Sequence, residues 1–166
     1  MVPTLNRATT MKTSGTFQQE SLKDQAKNIH EEARMVLPGL QALFGFQLVA
    51  VFNQRFSDLA AVDQQIHLSA LLLVAIAIGM IMTPAAYHRV CEPDGVSRYF
   101  TQMSSLLIAG AMVPLAIAVA LDVYIVARMV DFAPVAAAAF GAVVLLMLVS
   151  LWLAFPIWHR TKSTKT

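Results

Sequence analysis

Four long runs of apolar residues occupy most of the chain between residues 36 and 157, and short polar stretches separate them. About 20 helical residues cross the roughly 30 Å hydrocarbon core of a bilayer. Strands do not fit, because a spanning strand alternates apolar and polar residues and the run LSALLLVAIAIGMIM does not alternate. The runs therefore predict four transmembrane helices, over residues 37–54, 66–88, 103–127 and 133–157, which form one membrane domain, 37–157.

The polar stretches between the runs predict where the helices turn. QRFSDLAAVDQQ separates the first run from the second, and CEPDGVSR, rich in turn-forming residues, separates the second from the third. The last connection, around Arg128 to Asp131, is very short. A short connection makes the third and fourth helices neighbours that pack as an antiparallel hairpin.

A second kind of helix is predicted before the first run, over residues 17–36. Its apolar positions recur at steps of three or four, the spacing of one helix face: Leu22, Ala26, Ile29, Ala33 and Val36. This amphipathic helix either lies in the headgroup layer, extends the first span past a kink at Pro38, or forms a seam with a subunit or partner. Residues 1–16 are predicted to be disordered and residues 158–166 to form a basic cytoplasmic tail. The predicted fold is an all-α, four-helix transmembrane bundle with an N-terminal cytoplasmic amphipathic helix.

Composition and charge agree with this architecture and orient it. Hydrophobic residues make up 57% of the chain and charged residues 13%, which is typical of a small membrane protein. Ten of the 12 Lys and Arg residues lie in the N-terminal segment, the second loop and the tail, whereas Arg55 and Arg128 lie on the other side. Because cytoplasmic flanks collect basic residues, both termini are predicted to be cytoplasmic, with anionic lipids as contacts. Aromatic residues do not interleave with the basic ones, so nucleic acid is not an expected partner.

Polar residues inside the apolar runs predict a transport path. Gln41 and Gln47 belong to the first run, and amides that face lipid are costly, so this helix is expected inside the bundle. Arg55, His67 and Asp122 lie near the non-cytoplasmic ends of their runs and can reach one layer. A carboxylate within a membrane must be paired, hydrated or protonated, which makes Asp122 a candidate proton relay. The alternatives are that the glutamines only join helices and that Asp122 is an interfacial helix-terminal charge.

A second group of ionisable residues is predicted at the cytoplasmic side. It consists of Glu32, Arg34, His88 and Arg89. Histidine titrates near neutral pH, so this group could respond to protons, or it could simply anchor the helices at the headgroups. The four histidines show no His-x-x-His or Glu-x-x-His spacing, so neither a metal nor a haem or other cofactor is expected. Cys91 is the only cysteine and receives no role.

Several strings resemble a bacterial family of small four-span integral membrane proteins of unknown function. They are EARMVLPGLQALFGFQ, FNQRFSDLAAVDQQIHLSALLL, TPAAYHR and LDVY, within roughly residues 32–160. The positions that fit the family pattern are Glu32, Arg34, Gln41, Phe56, Pro84, His88, Arg89 and Asp122. The resemblance implies the bacterial inner membrane. Some relatives carry the label sodium:proton antiporter, which implies ion transport.

Two classes of function remain open from the sequence. The first is an oligomeric carrier or channel for protons or monovalent cations, and the second is a non-catalytic accessory or scaffold subunit of a membrane complex. The antiporter label and Asp122 favour transport, and four helices with so little charge would need several copies around one path. No nucleophile with a base, carboxylate pair or phosphate loop can be identified, so we do not expect an enzyme.

The basic residues predict that the C-terminus is cytoplasmic. A reporter that is active only outside the cytoplasm, fused after Thr166, should therefore stay inactive, whereas a cytoplasmic reporter at the same place should be active. Activity of the external reporter in a fusion that inserts intact would contradict the four-span topology.

Overall fold

The structure, a computed structural model, describes residues 22–91, 97–156 and 158. The predicted disordered segment 1–16 lies outside the described residues, as does the predicted tail apart from Trp158. Five α-helices and one π-helical turn follow one another along the described chain. They are α1 (Leu22–Ala50), α2 (Gln54–Ser57), α3 (Ala61–Cys91), α4 (Arg98–Met129), α5 (Pro134–Val149) and the π-turn Ser150–Ala154, which continues α5.

Four segments are long and apolar enough to cross a membrane. They are Lys27–Ala50 in α1, Ala61–Cys91, Arg98–Met129, and Pro134–Ala154 in α5 and its π-turn. Every regular element in the described ranges is helical. The predicted all-α bundle with four transmembrane helices is therefore confirmed. The helices α3 and α4 extend past both ends of the predicted spans, because polar residues at the ends of the apolar runs continue the helix.

The amphipathic segment and the first span form one helix. α1 continues from Leu22 through Pro38 to Ala50, which corresponds to the alternative in which the amphipathic segment extends the span. Proline within a transmembrane helix is tolerated, since neighbouring helices and local adjustments satisfy the freed backbone group. Ile29 and Ala33 of the apolar stripe are half-buried, whereas the side chains of Leu22 and Ala26 lie outside the described residues.

α1 ends before the predicted boundary at residue 54. Asn53 is the N-cap of α2, and its side chain accepts a hydrogen bond from the Arg55 backbone N–H at 2.9 Å. Asparagine at a cap starts a new helix rather than continuing the previous one. Gln54 and Arg55 consequently belong to α2 rather than to the first span.

α4 is the central helix of the bundle, because it contacts α1, α3 and α5. α3 faces it with a buried seam whose members recur at steps of four and three: Asp63, His67, Ala70, Val74, Ala77, Ile81 and Pro84. The seam is rich in alanine, which allows the helix backbones to approach closely. Asp63 and His67 lie at the end of this seam that also carries α2 and the 130–133 connection, hereafter the α2 end of the bundle.

α5 packs against α4 through small residues. Ala137 and Gly141 are its buried positions, and a Cβ atom added at Gly141 would lie 2.8 Å from the backbone oxygen of Ala120 in α4. The predicted antiparallel hairpin is therefore present, and its close approach depends on the absence of a side chain at Gly141.

We expect Gly141→Ala to lower the thermal stability of the purified protein, because the added methyl group displaces the α4 backbone; overpacking typically costs about 1–3 kcal/mol. Gly79→Ala is the matched control, since Gly79 is also helical and nothing lies within 4 Å of the added Cβ atom. A loss of stability in both variants, or in neither, would contradict the packing role of Gly141.

Candidate functional site

Three polar side chains from three helices meet inside the α2 end of the bundle. Gln47 of α1 donates a hydrogen bond from Nε2 to Asp122 Oδ2 of α4 at 2.7 Å. His67 of α3 lies beside them, with Nδ1 at 4.0 Å from Asp122 Oδ1. Gln47 and His67 are buried, and the Asp122 side chain is 16% exposed. We call these three residues the polar layer.

The helix ends position the polar layer. Gln47 lies in the last turn of α1, where backbone carbonyls lack partners within the helix. His67 Nε2 lies 2.9 Å from the Gln47 backbone oxygen. A carbonyl oxygen only accepts, so Nε2 carries the proton of this hydrogen bond and the neutral imidazole has its lone pair at Nδ1. His67 thus caps α1 and points its unprotonated nitrogen toward Asp122.

The atoms of the polar layer that remain without a partner are acceptors. Gln47 Oε1 and His67 Nδ1 are buried and have no hydrogen-bond partner among the described residues. Asp122 Oδ1 is the nearest carboxylate oxygen to Nδ1, but 4.0 Å is beyond hydrogen-bond distance. A donor or a cation between His67 Nδ1 and Asp122 Oδ1, which lie 4.0 Å apart, would satisfy both acceptors. The layer is therefore suited to a proton, a proton-donating molecule or a small cation.

A cavity of about 160 Å³ borders the polar layer. Its polar wall is formed by Gln47, His67 and Asp122, and apolar side chains of α1 and α4 complete it. Phe46 and Val126 line its rim and are 74% and 59% exposed, so the cavity opens between α1 and α4. The Phe56 ring of α2 packs edge-on against His67, at 5.0 Å between ring centroids. Water has room in such a space beside polar atoms.

The other members of the predicted transport path lie elsewhere. Arg55 donates to Asp131 at 2.8 Å, and both side chains of this pair are largely exposed. Gln41 is exposed on α1 and forms no hydrogen bond with a described residue. Three of the five residues of the predicted path therefore belong to the polar layer, and the other two, Gln41 and Arg55, lie outside it. Arg55 is absent from the layer because α1 ends before it.

The predicted cytoplasmic cluster is not joined by ion pairs within the described ranges. Glu32, Arg34 and Arg89 are exposed and separate. His88 is half-buried, and its ring lies 5.9 Å from that of His30 and 5.3 Å from that of Phe100, between centroids. Its neighbours are thus aromatic rings. The part of the chain that the structure describes contains no group of three or more His, Cys, Asp or Glu that could hold a metal ion.

Sequence reasoning missed a second buried cluster, around Asp63. The Asp63 carboxylate accepts from Tyr124 Oη at 2.7 Å and from Arg128 Nε at 3.0 Å. Arg128 also donates to the Phe132 backbone oxygen at 2.6 Å. The cluster ties the start of α3 to the end of α4 and to the next connection. The available signal was the spacing of Tyr124 and Arg128, which are four apart on one helix face and lie opposite an acid in the first turn of an antiparallel neighbour.

The fold and the polar layer together define a multi-pass α-helical membrane protein with a largely buried carboxylate near one end of its bundle. Residues 17–156 match a family described as a family of unknown function (DUF6328). The match covers most of the sequence, so the chain belongs to this family. No curated protein and no solved structure matches the chain.

Arg128→Met should destabilise the protein strongly, because it leaves the buried carboxylate of Asp63 without its cation; breaking a buried pair typically costs about 3–5 kcal/mol. Arg55→Met is the matched control, since it removes an exposed Arg–Asp pair at the same end of the bundle, worth about 0–1 kcal/mol. Thermal unfolding in one detergent measures both. Equal losses in the two variants would show that the Asp63 cluster does not stabilise the fold.

Proposed function

We propose that this chain is the subunit of an oligomeric carrier or channel that moves protons or monovalent cations across the bacterial inner membrane. Asp122 is the group that binds the proton or cation, and Gln47 and His67 are its direct partners. In this proposal both termini face the cytoplasm, where the basic flanks contact anionic lipids. The polar layer and its cavity then lie nearer the non-cytoplasmic side.

The observation that carries the proposal is the largely buried Asp122 carboxylate beside unpartnered acceptors. Asp122 lies seven residues before the end of α4 at Met129, about 10 Å along the helix. An ionisable group inside a membrane protein is costly and commonly marks an ion or proton pathway. A purely structural acid would be expected to have a cation close by, as Asp63 has Arg128 at 3.0 Å. The basic side chain nearest Asp122 is instead the imidazole at 4.0 Å, which is neutral until it takes up a proton.

The geometry supports a short proton exchange. One water molecule between His67 Nδ1 and Asp122 Oδ1 would bridge their 4.0 Å separation and let the proton move from one to the other. Gln47 serves both states of the carboxyl group. Its Nε2 donates to the carboxylate, and after rotation of the amide its Oε1 accepts from the protonated acid.

The route beyond the polar layer is the reason for proposing an oligomer. Along α3, the buried positions that follow His67 are apolar, and Ala70, Val74 and Ala77 are fully buried. A hydrated route from the cavity to the opposite end therefore requires a conformational change or a surface shared with another copy. The same packed interior favours the second candidate function, an accessory or scaffold subunit in which the polar layer only joins helices.

Asp122→Asn should abolish proton flux in liposomes that contain the purified protein, because asparagine keeps the shape and the hydrogen bond to Gln47 but cannot exchange a proton. The measurement is the rate at which an internal pH-sensitive dye responds to an imposed gradient, between about pH 5 and pH 8. Asp131→Asn is the matched control, since it removes an exposed carboxylate at the same end of the bundle, and its flux should equal that of the unmodified chain.

Two results would count against the proposal. Equal flux in Asp122→Asn and the unmodified chain would exclude Asp122 as the proton-binding group. No flux of protons or monovalent cations in the unmodified chain, reconstituted in its folded form, would favour the accessory-subunit function.

A further inference from the structure

Gln41 is a polar side chain on the lipid-facing surface, deep within a transmembrane segment. It lies nine residues, about 14 Å, before the end of α1 at Ala50 and well inside the span Lys27–Ala50. The exposed amides Gln65 and Gln102, by contrast, lie within about one turn of a helix start, where water or headgroups can reach them. Gln41 thus lies about 14 Å from the Ala50 end of α1 and about 10 Å, two turns, from the charged Arg34 on its other side.

Hydrocarbon offers this amide no hydrogen bond. Gln41 is exposed, and no described residue bonds to it. Transfer of an amide from water to a medium that cannot hydrogen-bond costs about 4–8 kcal/mol. The position is therefore strongly unfavourable in an isolated chain, and a partner with a donor and an acceptor at the same depth would relieve it.

The surface around Gln41 has the spacing of a helix–helix seam. Five exposed or half-buried positions of α1 recur at steps of four and three and form what we call the outer α1 seam: Arg34, Pro38, Gln41, Gly45 and Leu48. These are the steps of the a and d positions of a coiled coil. A Cβ atom added at Gly45 would meet nothing within 4 Å, so no contact within the chain requires glycine there. The glycine leaves room for a neighbouring helix one turn from the amide.

We propose that the outer α1 seam is the contact surface between two copies of this chain, with the Gln41 amides hydrogen-bonded to each other. A primary amide has two donors and a two-lone-pair acceptor, so it is complementary to itself. A two-fold axis along the membrane normal places Gln41 of the second copy at the same depth by symmetry. A different protein could replace the second copy only if it carried a polar group at the depth of Gln41 and fitted against the surface at Gly45.

The interface would supply the oligomer that the proposed function requires, but it depends on Gln41 rather than on Asp122. Gln41 and Gln47, six residues apart, point about 120° apart around α1, so the seam lies on a different helix face from the polar layer. Association can be measured without any ion flux. Failure of the interface and failure of the transport function are therefore distinguishable.

The first experiment measures self-association of the full chain in liposomes by energy transfer between labelled copies, as lipid dilutes the protein. Gln41→Leu should weaken association roughly 5-fold to 30-fold, the effect of losing an interhelical amide hydrogen bond. Gln41→Asn keeps an amide and should retain much of the association. Gln102→Leu is the control for removing an exposed amide elsewhere and should associate like the unmodified chain.

The second experiment locates the contact by oxidative cross-linking, in a Cys91→Ser background that removes the native thiol. Leu48→Cys on the outer α1 seam should form a disulfide-linked dimer. Leu68→Cys, an exposed position on α3, should not. A chain that stays monomeric at every dilution, equal association of Gln41→Leu and the unmodified chain, or cross-linking at Leu68→Cys but not at Leu48→Cys would overturn the proposal.

Discussion

The hydrogen bond from Gln47 to Asp122 is the contact around which the α2 end of the bundle is organised. It joins the last turn of α1 to α4, at 2.7 Å, and the imidazole of α3 closes the group by capping the Gln47 carbonyl. The hydrocarbon core of a bilayer contains no water, so a polar group there must form its hydrogen bonds with other groups of the protein. The three helices are therefore held in one register at this level, although the surfaces between them are otherwise apolar and rich in small residues.

Two aspartates at the α2 end of the bundle, Asp63 and Asp122, have different kinds of partner. Asp63 has a phenol and a guanidinium as partners, whereas Asp122 has an amide at hydrogen-bond distance and an imidazole at 4.0 Å. The Arg128 guanidinium lies beside Asp63, at 3.0 Å. Asp122 has no Arg or Lys partner among the described residues. This contrast between two aspartates on neighbouring helices is the physical basis of the proposed function.

α1 carries Gln41 and Gln47 on two separate strips, about 120° apart around the helix. One strip faces α3 and α4 and carries Gln47, and the other faces the lipid and carries Gln41. An amide on each strip means that α1 is polar toward the bundle and toward the outside at different depths. α1 is accordingly the least apolar of the four spans.

The sequence by itself determined the four spans and their helical nature, because a long apolar run is a local property. It also singled out Gln47, His67 and Asp122 as polar residues within or beside such runs. It also placed Arg55 in the same group, and there it was wrong, since the Asn53 cap ends α1 early and directs Arg55 to Asp131. Only the tertiary structure decided which polar atoms meet. Asp63 and Arg128 are 65 positions apart, and their pairing depends on the rotation and relative depth of α3 and α4. Those two quantities are set by the packing of whole helix faces, which no single motif encodes.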